Sequence, residues 1–479
     1  MKICIVGGGT AGWMTASTLI KAYPDWDISL YESPNIPTVG VGESTTQFFR
    51  QWLHFLGLKD EQWMAACDAT YKLSVRFHNF HKQGDTPWQY PFGFPRGFAT
   101  PDTWFFNAKK YNWDNDKFAK DYYLGAACAD ANKFPENDEH FPLDKHTGFH
   151  MDAVKFANWL RDNYAVPRGV KHILEKVDKS IIHSQKYDLY FDCTGFRSLL
   201  NDSEWIDYSD YLPNNKAWVT RKQYTVHKED ELVPVTDCKA LSSGWVWRVP
   251  TWSRVGTGYN FCDKFITTDA ALHEFASHLK TDLDEGFRLI DYKTGRKKEI
   301  WKGNVISIGL SAGFIEPLES NGLLSVHTFL LYLVKTLGNR KNVTQFMRDT
   351  FNNQCGNGFD TFSSFVALHY ALTQRDDSEY WQHVSNIKYP KIGLLDKCQK
   401  LYMAPSNEFI DGISFEGEGL LAVMAGHGWN PFDNVSMDHI EFHGGVPDDA
   451  PANNLEIPDW DLDSLPSPYE YYKRTIYEN

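Results

Sequence analysis

The first 32 residues constrain the fold more than any other stretch of the chain. Lys2 to Val6 is a short apolar run of strand type, and Gly7-x-Gly9-x-x-Gly12 follows it at once. A helical pattern then runs to about Ala22, and a second strand, Asp27 to Glu32, ends on an acid 20 residues beyond Gly12. That order reads as a βαβ unit built to hold a dinucleotide. Gly7 permits the tight turn, Gly9 lets a pyrophosphate approach the backbone, and Gly12 lets helix pack on strand. Thr10 and Ala11 open the helix at whose N-terminus the phosphates sit, and Glu32 accepts from ribose hydroxyls. A glycine turn in an unrelated α/β protein is the alternative, and it needs strand, helix and acid to fall into register by accident.

The pattern alone does not separate FAD from NAD. Three features favour FAD: the position at the very N-terminus, the GVGEST segment at 40–45 with Gly42, Glu43 and Ser44, and the late DCTG turn at 192–195. No second G-x-G-x-x-G occurs, so no separate NAD(P)H site is visible and reduced flavin is expected from outside.

At 479 residues the chain exceeds one ordinary core, and two interlocked lobes are expected. The division is placed at 1–340, a discontinuous cofactor-binding module with insertions around 81–150 and 200–300, and 341–479, a mainly helical substrate lobe. The segment GVPDDAPANNLEIPDWDLDSLPSP, at 445–468, reads as an extended surface wrap. Further strands are expected at Gly169 to Val177, Tyr187 to Asp192 and Asn304 to Gly309, with strands and turns dominating from Trp218 to Cys262 and an apolar helix from about Leu323 to Leu337.

No apolar stretch approaches the ~20 residues of a membrane helix, and the opening apolar run is too short and glycine-rich for a signal peptide. No membrane association and a cytoplasmic location are therefore expected. A net charge of −14 disfavours nucleic acid, which needs a concentrated basic surface. Eight cysteines without a C-x-x-C pair argue against zinc, a dithiol centre or a disulfide framework, so no metal is expected. Aromatic residues make up 15% of the chain, with 17 Trp, which suits a protein that sandwiches flat rings around a small aromatic partner.

GWVWRVPTW, from 244 to 252, concentrates three of those tryptophans in one strand. Strand alternation puts Trp245 and Trp247 on one face, with Val246 and Arg248 on the other. The pair reads either as a rigid wall of a site or as core packing on a buried sheet face, and the two are compatible.

Taken together, GGGTAGWMTA (7–16), GVGEST (40–45), DCTGFRSLL (192–200), GWVWRVP (244–250), EPLESNG (316–322) and HYALTQRDD (369–377) resemble the flavin-dependent tryptophan halogenases. The resemblance spans about residues 1–381 with the motifs in the family's order. It implies an α/β architecture: an FAD-binding Rossmann-like fold of the GR2 flavin-monooxygenase type, with an added antiparallel sheet and a C-terminal helical substrate lobe. It implies FAD, used as FADH2 from a separate NAD(P)H-dependent flavin reductase, and chloride, bromide or iodide. The sequence leaves a homodimer open.

By the same resemblance, FADH2 and dioxygen give a flavin hydroperoxide, halide attack on it gives hypohalous acid, and the protein supplies position and exclusion. Lys72 in ATYKLSVRF matches the catalytic lysine. Its ammonium can polarise hypohalous acid through a hydrogen bond, or, with a lowered pKa, its amine can take the halogen. Glu319 matches the carboxylate that faces the arene, stabilising positive charge in the ring and accepting its proton. Ser320 is assigned either to positioning neighbouring backbone or to capping the following helix.

The halide site uses backbone groups of a Thr-Gly pair that stands here as Asn321-Gly322. Backbone amides still suit an anion nest, and the change leads to the expectation that bromide or iodide works at least as well as chloride. Val177, Leu310 and Leu323 are expected to meet the flavin, and Trp245 and Trp247 to wall it against ordinary hydroxylation. His369 and Tyr370 read as packed residues without a catalytic role. Two other readings stand beside the halogenase: a flavin-dependent aromatic hydroxylase of the same fold, and a catalytically silent flavin-binding protein. Lys72, Glu319 and the tryptophan pair weigh against the first, Lys72 and Glu319 weigh against the second while the Asn321 change leaves it open, and the residues that would select a substrate are not recognisable.

Overall fold

In the computed structural model of the chain, strands Lys2–Val6 and Asp27–Glu32 pair in parallel and helix Thr10–Ala22 connects them. The structure describes residues 1–35, 40, 42–97, 100–136, 138–184, 186–283, 286–339, 342–390, 393–401, 417–442 and 458–478. Gly7 has φ 114°, and a Cβ there would lie 2.2 Å from the Cys193 carbonyl oxygen, so the turn admits only glycine. The unit extends into a six-stranded sheet in the order Trp301–Lys302, Val305–Ser307, Leu189–Asp192, Lys2–Val6, Asp27–Glu32, Lys171–Leu174. Its central strands carry Ile3, Cys4 and Ile5 buried on both faces, the pattern of a parallel sheet covered on each side.

The outer strands are shorter than the sequence pattern suggests. Leu174 already pairs with Glu32, the last residue of its neighbour, so residues to Val177 have no ladder to join. For the same reason Ser307 and Asp192 end together, and Gly309 falls in a short 3-10 turn.

A second, seven-stranded sheet runs Arg288–Asp291, Lys216–Gln223, Arg254–Phe261, Gly244–Pro250, Val235–Ala240, Ser74–His78, Trp88–Pro91. It is antiparallel apart from the pairing of Val235–Ala240 with Ser74–His78. A small third sheet matters most for the site: strand Gly148–Met151 lies between Glu43–Ser44 and Thr70–Lys72, with Ser44 and Thr70 both opposite His150. Distant parts of the sequence thus converge.

Helix Asn321–Leu337 packs on Thr10–Ala22, and the long helix Gln345–Ala371 comes next. One hydrophobic core runs from Ile3 to Tyr472, so the ends of the chain share it. Residues 445–457 of the expected surface wrap lie outside the described residues, 458–467 run without helix or strand and partly exposed, and the segment that follows is anchored. Helix Pro468–Tyr472 buries Tyr472, whose hydroxyl donates to the Tyr71 carbonyl at 3.1 Å, and the Tyr477 hydroxyl donates to the Ala69 carbonyl at 2.8 Å. Trp252 stacks on Tyr477 with ring centres 4.3 Å apart. That contact accounts for the third tryptophan of GWVWRVPTW.

Candidate active site

A cavity of about 1000 Å3 opens over the glycine turn. Gly7, Gly9, Thr10, Ala11, Glu32, Gly42, Glu43, Ser44, Val177, Leu310 and Leu323 all line it. Gly12 does not; a Cβ on it would sit 1.8 Å from the Gly7 carbonyl oxygen, so Gly12 lets the helix close on the glycine turn itself rather than on a strand. Gly8 has a comparable role, because its missing Cβ makes room for the Glu32 side chain at 2.1 Å. Glu32 is also fixed by His172, whose Nε2 lies 2.8 Å from Oε2. A long cavity with a glycine floor at a helix N-terminus and an acid at the second strand's end fits FAD in its extended form.

At the inner end of the cavity helix Asn321–Leu337 begins, and Ser320, Asn321 and Gly322 line the wall. Ser320 holds φ 57° and ψ 36°, a left-handed conformation rare for a residue with a side chain. It does not cap the helix; the capping alternative is overturned. Its hydroxyl accepts from Lys72 Nζ at 2.7 Å and donates to Ser44 Oγ at 2.9 Å. The Asn321 side chain is turned back to the Glu316 carbonyl at 3.2 Å, which leaves backbone N–H groups at the cavity surface. Glu43 stands opposite: a Cβ on Gly322 would lie 3.5 Å from Glu43 Oε2, and burial pushes the Glu43 carboxyl up to about 7.

Lys72 and Glu319 are both buried and do not line the large cavity; Ser320, next to one in sequence and hydrogen-bonded to the other, does. Burial pulls the Lys72 ammonium down to about 7, against the opposing pull of the Glu319 carboxylate. The ammonium lies 5.1 Å from the centre of the Phe92 ring. His369 Nε2 stands 2.8 Å from Glu319 Oε1, a close approach without hydrogen-bond alignment, while its Nδ1 faces the Phe365 carbonyl at 3.2 Å. His369 is fully buried there. Around it stand Phe77, Trp88 and His427, with Phe77 stacked on Trp88 at 4.3 Å and His369 5.9 Å from His427. The Trp88 Nε1 and both ring nitrogens of His427 are buried without a hydrogen-bond partner among the described residues.

Trp245 and Trp247 share a face as strand alternation requires, with ring centres 5.9 Å apart. Trp247 lines the cavity, whereas Trp245 is fully buried behind it. Its indole N–H donates to Glu316 Oε2 at 2.7 Å, which also accepts from Asn214 Nδ2 at 2.8 Å and Tyr370 OH at 2.8 Å. Sequence reasoning missed Glu316, although it opens the same EPLESNG segment. Tyr370, read as packing, is one of its donors.

Among the described residues no cluster of His, Cys, Asp or Glu could hold a metal ion, and no helix is long and apolar enough to cross a membrane. All eight cysteines are buried and unpaired.

Fold and cavity together define an FAD-binding α/β protein of the flavin-monooxygenase type. Residues 2–437 match the family described as tryptophan halogenase. The chain is 33% identical over 441 residues to the 7-chloro-L-tryptophan 6-halogenase KtzR of Kutzneria sp. (strain 744), covering 82% of this chain and 84% of that protein. It is 32% identical over 422 residues to the tryptophan 7-halogenase RebH of Lentzea aerocolonigenes, covering 80% and 78%. Among solved structures it superposes on apo VirX1 with TM-score 0.87 at 35% identity, covering 99% of each chain. It superposes on the tryptophan 6-halogenase SttH of Streptomyces toxytricini with TM-score 0.81 at 30% identity, covering 98% and 99%. The chain belongs to the tryptophan halogenase family. It is an enzyme, a flavin-dependent halogenase that uses FAD and a halide.

Proposed function

We propose that the chain halogenates an electron-rich aromatic, of indole or phenol type, with hypohalous acid that travels from the FAD cavity past Lys72 to a ring held against Glu319. Reduced FAD with dioxygen, delivered by a separate NAD(P)H-dependent flavin reductase, supplies the oxidising equivalent that turns halide into electrophilic halogen. The chain's own residues do the rest. The Lys72 amine holds the halogen source in a dry enclosure, and the Glu319 carboxylate stabilises the cationic ring and accepts its proton.

The observation that carries this reading is the placement of Ser320: one strained residue at the cavity wall joins a buried amine to the residue bearing a buried carboxylate. The aromatic group of Phe77, Trp88, His369 and His427, with its unpartnered ring nitrogens, supports a flat substrate that can also offer a hydrogen bond. The relatives named for tryptophan halogenation make free tryptophan the first member of the panel to try.

For the halide, the backbone N–H groups of Asn321 and Gly322 offer an anion nest, with the Asn321 side chain turned away from it. A nest without a side-chain donor favours the ions that are cheapest to desolvate, and these are also the easiest to oxidise. In a competition at equal concentrations, bromide or iodide is expected to give at least as much product as chloride. Clear chloride preference would contradict that. The function as a whole is tested with enzyme, FAD, a flavin reductase, bromide and a panel of tryptophan, other indoles and phenols, read by mass spectrometry. The paired bromine isotopes in a product are the expected result; hydroxylated product independent of halide would favour the hydroxylase reading.

A further inference from the structure

Five buried side chains from different parts of the sequence form one continuous chain of hydrogen bonds. Lys72 Nζ donates to Ser320 Oγ at 2.7 Å, and Ser320 Oγ donates to Ser44 Oγ at 2.9 Å. Ser44 Oγ lies 2.8 Å from Thr236 Oγ1, which lies 2.8 Å from His150 Nε2. The small sheet creates this arrangement by setting Ser44 opposite His150 and by putting Lys72 on the other neighbouring strand, while Thr236 arrives from the large sheet.

The direction of the chain is fixed from one end. An ammonium can only donate, so Ser320 accepts there and sends its own proton to Ser44. Ser44 then donates to Thr236, and Thr236 has one proton left, for His150 Nε2. Nε2 must therefore offer its lone pair, and the ring carries its proton on Nδ1. Nδ1 has no aligned partner among the described residues, though the Pro250 carbonyl acts on the ring in the sense that favours a proton.

We propose that Ser320, Ser44, Thr236 and His150 are a proton relay that takes a proton from the Lys72 ammonium and lodges it on His150 Nε2, leaving a free amine when hypohalous acid arrives. The Lys72 proton passes to Ser320, each hydroxyl hands on its own, and the last proton forms the imidazolium. The amine nitrogen then bonds to the halogen as the oxygen–halogen bond breaks. The departing hydroxide takes a proton from that nitrogen and leaves as water. As the ring takes the halogen the nitrogen–halogen bond breaks, the ring proton passes by way of Glu319 to that nitrogen to give the neutral amine, and His150 then returns the relayed proton to restore the ammonium.

The transfer leaves the number of buried positive charges unchanged, but burial still disfavours the imidazolium, so the proton rests on His150 only transiently. Burial and the nearby Lys72 and Arg248 cations hold His150 neutral while Lys72 is charged, and Asp237 is the anion that favours its charged form. Asp237 is itself kept ionised by Arg76 and His78. On the other end Glu319 and the Cys238 thiol act on Lys72. Thr236 and His150 act through Lys72 and are positioning residues in that sense.

The inference rests on the halogenase reading, and two experiments keep the two apart. In full-length protein with uniformly 15N-labelled histidine, assigned with His150→Gln, the His150 resonance should report a bare Nε2 and a protonated Nδ1. A proton found on Nε2 reverses the last link and overturns the relay. In bromination assays between about pH 6 and pH 8.5, wild type should lose rate toward acid much less steeply than Thr236→Val. Thr236→Val should fall roughly tenfold or more at the acid end and recover as pH rises, because its Lys72 amine must be freed by bulk equilibrium alone. Thr236→Ser restores the hydroxyl and should restore the wild-type profile. A wild-type profile in Thr236→Val, or a loss in it that Thr236→Ser does not repair, overturns the relay and leaves the halogenase reading intact. Product from Lys72→Ala would instead remove that reading.

Discussion

At the scale of the residue, Lys72 carries a stability signature that needs no substrate. Its folded pKa, near 7, lies below the ordinary lysine value of 10.5, so the unfolded chain binds more protons between those pH values and stability rises with pH across that window. Below pH 7 both states are protonated and the full cost of the buried charge is present, an upper bound of ~5 kcal/mol. Lys72→Met should therefore melt higher than wild type near pH 6, with the difference shrinking toward pH 10; thermal unfolding of the FAD-free protein across that range checks it. Lys72, Glu319 and Ser320 are legible in the sequence because they stand in or beside motifs that travel as units. His150, Thr236 and Glu316 are not. A buried histidine in GFHM or a threonine in VTDCKA has no local mark of function, and only sheet pairing brings either to Ser44. His369 is visible but reads as packing, since nothing in one helix reveals that Glu319 lies 2.8 Å away.

At the scale of the element, the opening βαβ unit is readable to the residue because its glycines, apolar strand and terminal acid are dictated by local geometry. Strand ends elsewhere come out too long, since a strand stops where its neighbour stops and the sequence does not show the neighbour. The tail is readable in part: residues 458–467 run without helix or strand and partly exposed, as the acidic, proline-bearing composition suggests, but nothing in it shows that Tyr472 and Tyr477, just beyond, find acceptors at Tyr71 and Ala69, in and beside the strand that carries Lys72. Tyr472→Ala should cost about 3–5 kcal/mol in denaturant unfolding, the range for losing a fully buried aromatic. Gly12→Ala forces its Cβ to within 1.8 Å of the Gly7 carbonyl, which only a rebuilt turn can relieve. FAD titration should show affinity weakened at least tenfold, about 1.4 kcal/mol or more, while an unchanged affinity would mean that the turn yields more easily than its geometry indicates.

At the scale of the whole molecule, two sheets drawn from different parts of the sequence meet at one helix N-terminus. The parallel sheet brings the cofactor cavity, the antiparallel sheet brings Trp247 and Thr236, and the third sheet slides Lys72, Ser44 and His150 between them. The amine and the carboxylate are buried beyond the cavity wall instead of in it, and under the proposed function this separates FAD from arene. Everything chemical then depends on passage at Lys72. The most direct test is Lys72→Ala in the bromide assay with a flavin reductase, with FAD binding measured alongside. Bound FAD with brominated product reduced by about two orders of magnitude or more is the predicted result. Brominated product at a rate near wild type would contradict it.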